Sequence, residues 1–99
     1  MIEEVKEFFK KKGAEIERVC DTLFIFMEET DAGLLYEFDG LMSRLGLTLK
    51  DIIPPDIISP TYMRVYVGRD AGVVFEYIEV KGSGTVVPVK VTVCTSSAG

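Results

Sequence analysis

Hydrophobic and polar positions alternate most regularly between Thr61 and Cys94, and this stretch predicts three antiparallel strands. Tyr62 to Val67 alternates and ends at Gly68-Arg69-Asp70-Ala71-Gly72, a loop with a glycine at each end where positive φ is free. Val73 to Lys81 follows, and Gly82-Ser83-Gly84 closes a short hairpin before Thr85 to Cys94. Pairing Val67 with Val73 and Lys81 with Thr85 sets one register for this meander. Met63, Val65, Val67, Val73, Phe75, Tyr77, Val87, Val89, Val91 and Val93 then share one face. The opposite face carries Tyr62, Arg64, Tyr66, Val74, Glu76, Ile78, Val80, Val86, Pro88, Lys90 and Thr92. Glu76 falls between Arg64 and Lys90, and a slip of one residue would destroy both the apolar face and the charge row. Pro88 has no N–H to give to a ladder, which predicts an edge position for the third strand.

Helical spacing replaces alternation in two places. Ile2 to Lys12 places Ile2, Val5, Phe8 and Phe9 on one side, with Glu3, Glu4 and Glu7 toward its start, three lysines in its last turn and Gly13 at the left-handed C-cap position. From Asp31 to Leu45 the stripe is Leu34, Leu35, Phe38, Leu41, Met42 and Leu45, with Thr30 or Asp31 as cap and Gly46 as terminator. The segment between them is ambiguous. Ile16, Val19, Cys20 and Leu23 have helical spacing, yet Leu23 to Met27 is aromatic and β-branched, so strand, turn, strand is preferred, with a single bent strand close behind. Thr48-Leu49-Lys50-Asp51 reads as a capped turn of helix stopped by Pro54-Pro55, and Ile57 and Ile58 as plugs for the bottom of the core. The expected fold is α+β, an antiparallel sheet of four to five strands with two amphipathic helices packed on one face. It forms a single domain over residues 1–94, followed by a disordered tail at 95–99.

Composition narrows the chemistry. The chain of 99 residues contains no His, Trp, Asn or Gln. Depletion of the deamidation-prone amides points to a hyperthermophilic source. Without imidazole, Ser-His and Cys-His nucleophiles and His-ligated zinc are excluded within one chain. Cys20 and Cys94 are too few for a four-thiolate site; they form a disulfide if their strands are neighbours, and otherwise are buried free thiols. The net charge of −5 argues against a phosphate-backbone footprint. No run is long enough to span a membrane and the N-terminus lacks the basic start of a signal peptide, so a soluble, cytoplasmic protein is expected.

Four features are candidate sites. The second sheet face, with Tyr62, Arg64, Tyr66, Val74, Glu76, Ile78 and Lys90, is more apolar than a solvated face needs to be. That implies cover by another molecule or by the chain's own second helix. Tyr62 and Tyr66 around Arg64 also resemble a base-stacking platform, although Glu76 sits inside it. Arg69 and Asp70 occupy a loop tip able to grip a charged partner. Acids at Glu28, Glu29, Asp31, Glu37 and Asp39 could hold a cation, but lack the ligand spacing of a metal loop. The expectation is a small heat-stable interaction module, homodimeric or bound to another protein, without cofactor or metal and with no catalytic chemistry evident in its residues. A nucleic-acid-associated regulator is the first alternative and a small-ligand or metal-binding domain the second.

Overall fold

In the computed structural model, which describes residues 1–95, the first helix, α1 (Ile2–Lys10), turns Val5 and Phe9 fully inward, four residues apart on one side. It closes where Gly13 takes φ 91° and the Ala14 N–H reaches back to the Phe9 carbonyl at 3.1 Å. A hairpin follows, β1 (Glu15–Val19) and β2 (Thr22–Phe26), turning through Cys20 and Asp21, so the strand, turn, strand preference describes this segment. After the two-residue strand β3 (Thr30–Asp31), helix α2 (Gly33–Arg44) buries Leu34, Leu35, Phe38, Leu41 and Met42, and the Asp31 carboxylate accepts the Gly33 N–H. The remaining strands are β4 (Thr48–Ile53), β5 (Tyr62–Val67), β6 (Ala71–Val80) and β7 (Thr85–Thr95).

Among the described residues this is an α+β fold of two helices and one seven-stranded antiparallel sheet, ordered β1-β2-β7-β6-β5-β4 with β3 also on β7. The sheet therefore has more strands than the four to five expected. Helix α1 lies at the β1 side of the sheet and α2 at the β4 side. Phe9 and Phe38 meet over the centre, both against the ring of Phe75 at 5.5 and 4.7 Å between centroids.

Four local expectations are corrected. Thr48 to Asp51 is not helical. The free edge of β5 offers a full row of backbone partners, and β4, with its β-branched Ile52 and Ile53, takes it, bulging at Lys50. Strand β7 is central rather than an edge. Pro88 is tolerated because β2 pairs with β7 only from Lys90 onward and β3 only up to Val86, so no neighbour asks position 88 for a donor on that side. Ile57 and Ile58 plug nothing and stand fully in solvent. Neither Gly68 nor Gly72 uses positive φ; Gly68 is needed for space, since a Cβ there would lie 3.1 Å from both the Gly46 carbonyl oxygen and Leu47 Cγ. Thr95, placed in the tail by sequence, pairs with Ala71 as the last residue of β7, and the rest of that expectation, residues 96–99, lies outside the described residues.

The meander register departs from expectation at both turns. The first hairpin closes Val67 on Gly72 instead of Val73, so every residue of β5 changes face: Tyr62, Arg64 and Tyr66 join Val73, Phe75 and Tyr77 beneath the helices. The second closes Val80 on Thr85, which places Val86 and Pro88 inward and Val87 outward. Val89 is then an extra residue between the Tyr77–Pro88 and Glu76–Lys90 pairs. This bulge restores the expected pairing of Glu76 with Lys90, Phe75 with Val91 and Val73 with Val93.

Candidate interaction surface

Strand β6 is the common element of both sheet faces. Its inward residues Val73, Phe75 and Tyr77 are buried, and its outward residues are Val74, Glu76 and Ile78. Lys90 stands beside Glu76 on the outer face, with 3.4 Å between Nζ and Oε2, and Thr61 donates its hydroxyl to the other Glu76 oxygen at 3.2 Å. The reversal of β5 puts Met63, Val65 and Val67 on this face, and Phe24 of β2 comes beside Lys90, 6.0 Å from its ring centroid to Nζ. The outer surface is thus a band of aliphatic side chains around one half-buried ion pair. Both helices lie across the sheet from it, against Phe75.

Of the residues assigned to this face by sequence, Val74, Glu76, Ile78 and Lys90 are there, while Tyr62, Arg64 and Tyr66 point the other way. The inward group makes a polar cluster with a residue the sequence reading treated only as part of an acidic run. Arg64 Nη2 donates to both carboxylate oxygens of Asp39 on α2, at 2.8 and 2.6 Å, and Arg64 Nε donates to the Tyr66 hydroxyl at 2.9 Å. Tyr66 in turn donates to Asp39 at 2.5 Å. Burial opposes the charge on Arg64, but the bonds to Asp39 and Tyr66 outweigh it and hold the guanidinium more firmly protonated than usual. Burial, then the Asp39 carboxylate, raises Tyr66 above the ordinary phenol range against the pull of Arg64; burial raises Tyr77 as well. Among the described residues no buried polar side-chain atom lacks a partner.

This cluster ties α2 to β5 and removes the base-stacking platform, since Tyr66 is 1 % exposed and the Tyr62 ring stacks on Tyr77 at 5.5 Å. The signal that could have revealed it was Asp39 itself, a carboxylate set beside the apolar stripe of α2 and next to Phe38. The other candidates are dispersed. Glu37 binds Lys12 at 2.9 Å, Asp31 serves the start of α2, and Glu28 and Glu29 are exposed in the preceding loop. Among the described residues no His, Cys, Asp or Glu group is placed to hold a metal. Arg69 and Asp70 stand exposed at the β5–β6 turn. Cys20 and Cys94 are free and exposed rather than buried or bonded; Cys20 sits in the β1–β2 turn with φ 53°, off the ladder that runs beside β7. Among the described residues no helix is long and apolar enough to cross a membrane. No protein-family model, no curated protein and no solved structure matches this chain.

Proposed function

We propose that the chain is a small, heat-stable assembly module that works as a homodimer through the outer face of its sheet. The observation that carries this reading is the band of Val65, Val67, Val74 and Ile78 on a face that neither helix covers. A solvated antiparallel face is ordinarily polar at such positions. Six strands about 4.8 Å apart and about 20 Å long offer on the order of 600 Å² of sheet. That is close to the roughly 800 Å² per partner of a standard interface once side-chain relief is counted. The Glu76–Lys90 pair suits a second copy in particular, because a twofold axis nearby would bring each charge against its opposite. Lack of Asn and Gln supports heat stability.

Size-exclusion chromatography with light scattering tests the reading. The wild-type chain is expected above monomer mass, and Ile78→Asp, which places a charge on a 39 % exposed side chain without touching the core, is expected to halve that mass with circular dichroism unchanged. Equal masses would remove the outer face as the contact.

A further inference from the structure

We propose that Cys20 and Cys94 form a reversible disulfide that staples the β1–β2 hairpin to β7. Both thiols are free and exposed in the structure, and both stand at the same end of the β2–β7 ladder. Thr22 lies opposite Thr92 and Leu23 opposite Val91, and the Val93 N–H donates to the Asp21 carbonyl at 2.9 Å, which carries the same register one step further. Cys20 and Cys94 are the next pair in that series. Hydrogen-bonded and open pairs alternate along an antiparallel ladder, so beyond the bonded Asp21 and Val93 the next position is open, as Thr22 with Thr92 is. In a straight ladder an open pair has its Cα atoms about 4.5 Å apart, inside the range a disulfide spans. The Thr22 and Thr92 hydroxyls, 3.4 Å apart, show side chains meeting across such a pair here.

Cys20 is the first residue of the turn, where the chain leaves the line of β2 for β1, so the bond requires the tip of the hairpin to swing toward β7. The tip is free to do so. Arg18, Val19, Cys20 and Asp21 are all exposed, and the swing uncovers no core. Cys20 holds φ 53°, the one positive value outside glycine among the described residues, and a relaxed turn releases that strain. On β6 the partner of Cys94 is Gly72, which has no side chain to compete for the space. Closure is a two-electron thiol–disulfide exchange. One cysteine thiolate attacks a low-molecular-weight disulfide and displaces half of it; the second cysteine attacks the mixed disulfide and displaces the other half. Two protein thiols are oxidised, and the small disulfide is reduced to two thiols that take up both protons. Hyperthermophiles keep such bonds inside the cell, and the absence of Asn and Gln points to that source.

Oxidised glutathione added in excess to the full chain under anaerobic conditions tests this, with Cys20→Ser and Cys94→Ser as controls. Both positions are exposed, so neither variant puts the fold at stake. The wild type is expected to lose about 2 Da, to keep no reactive thiol and to yield one protease fragment joining the Cys20 and Cys94 peptides, all reversed by dithiothreitol. Because the bond closes a loop that takes in most of the chain, the oxidised form is expected to melt about 10 °C above the reduced form, a shift absent from either serine variant. An unchanged mass, or glutathione adducts on both cysteines without an internal bond, would overturn the proposal. So would a link formed only between two chains, seen as a doubled mass on a non-reducing gel. An internal bond that leaves the melting midpoint where it was would overturn the staple.

Discussion

Arg64 on β5 is joined to α2 through the carboxylate of Asp39. Its side chain is 8 % exposed and its charge is balanced by Asp39, at 31 %. Removing one member of such a pair leaves a buried charge without compensation, while replacing both with apolar groups need not. Asp39→Ala is therefore expected to cost about 2–4 kcal/mol in urea unfolding, the partial exposure of Asp39 keeping it below the largest measured losses. The double variant Asp39→Leu/Arg64→Met is expected to recover most of that loss; a double variant as unstable as the single one would rule out an uncompensated charge as the cause. Tyr66 adds a pH dependence. Its folded-state pKa is raised, as is that of Tyr77, so the protonated phenol is the form the fold prefers. The resulting stability is present below the ordinary phenol value of 10.0 and is lost as pH rises above it. Unfolding midpoints at pH 9 and 11 are expected to differ more for the wild type than for Tyr66→Phe, and equal differences would contradict the assignment.

Strand β7 shows how a residue that breaks a local rule is accommodated by its neighbours. It lies between β6 on one side and β2 and β3 on the other, and Pro88 occupies the interval where the second side has no strand. One position later, the extra residue Val89 resets the pairing. Moving the proline should expose the difference. Val91→Pro deletes a donor where β7 has partners on both sides and is expected to cost more than about 3 kcal/mol. Pro88→Ala trims a buried ring and is expected to cost about 1 kcal/mol. Similar losses from the two substitutions, measured by thermal unfolding, would refute the account of the gap. The same strand gives β6 its fixed orientation, since Val73, Phe75 and Glu76 are each paired on it directly.

Across the whole molecule, both helices are spent on one side of the sheet and the other side is left to the aliphatic residues of β5, β6 and β7. A protein of this shape buries its second face by association or leaves it hydrated, and the mass of Ile78→Asp relative to wild type decides between these. The net charge of −5 opposes a nucleic-acid backbone, and the engagement of Arg64 with Asp39 takes the cation of the expected stacking platform out of reach. Retention on DNA or RNA is accordingly expected to be absent at 50 mM salt; salt-sensitive retention would reopen that alternative.

Local pattern carried the helices, the β1–β2 hairpin, three late strands and the two faces of β6, because periodicity of 3.6 or 2 is written in consecutive residues and survives any tertiary arrangement. Gly13 and Gly46 could be read as helix terminators for the same reason, and both take positive φ. The orientation of β5 could not be read this way. Tyr62, Arg64 and Tyr66 alternate with Met63, Val65 and Val67, and either row can face a core if the arginine finds a carboxylate. That carboxylate, Asp39, lies 25 residues earlier in the chain, on a helix whose position depends on the sheet beneath it. The place of β7 in the sheet and the exposure of Ile57 and Ile58 were likewise decided by which segments became neighbours. Pairing between distant segments is a property of the assembled fold, and no window of sequence contains it.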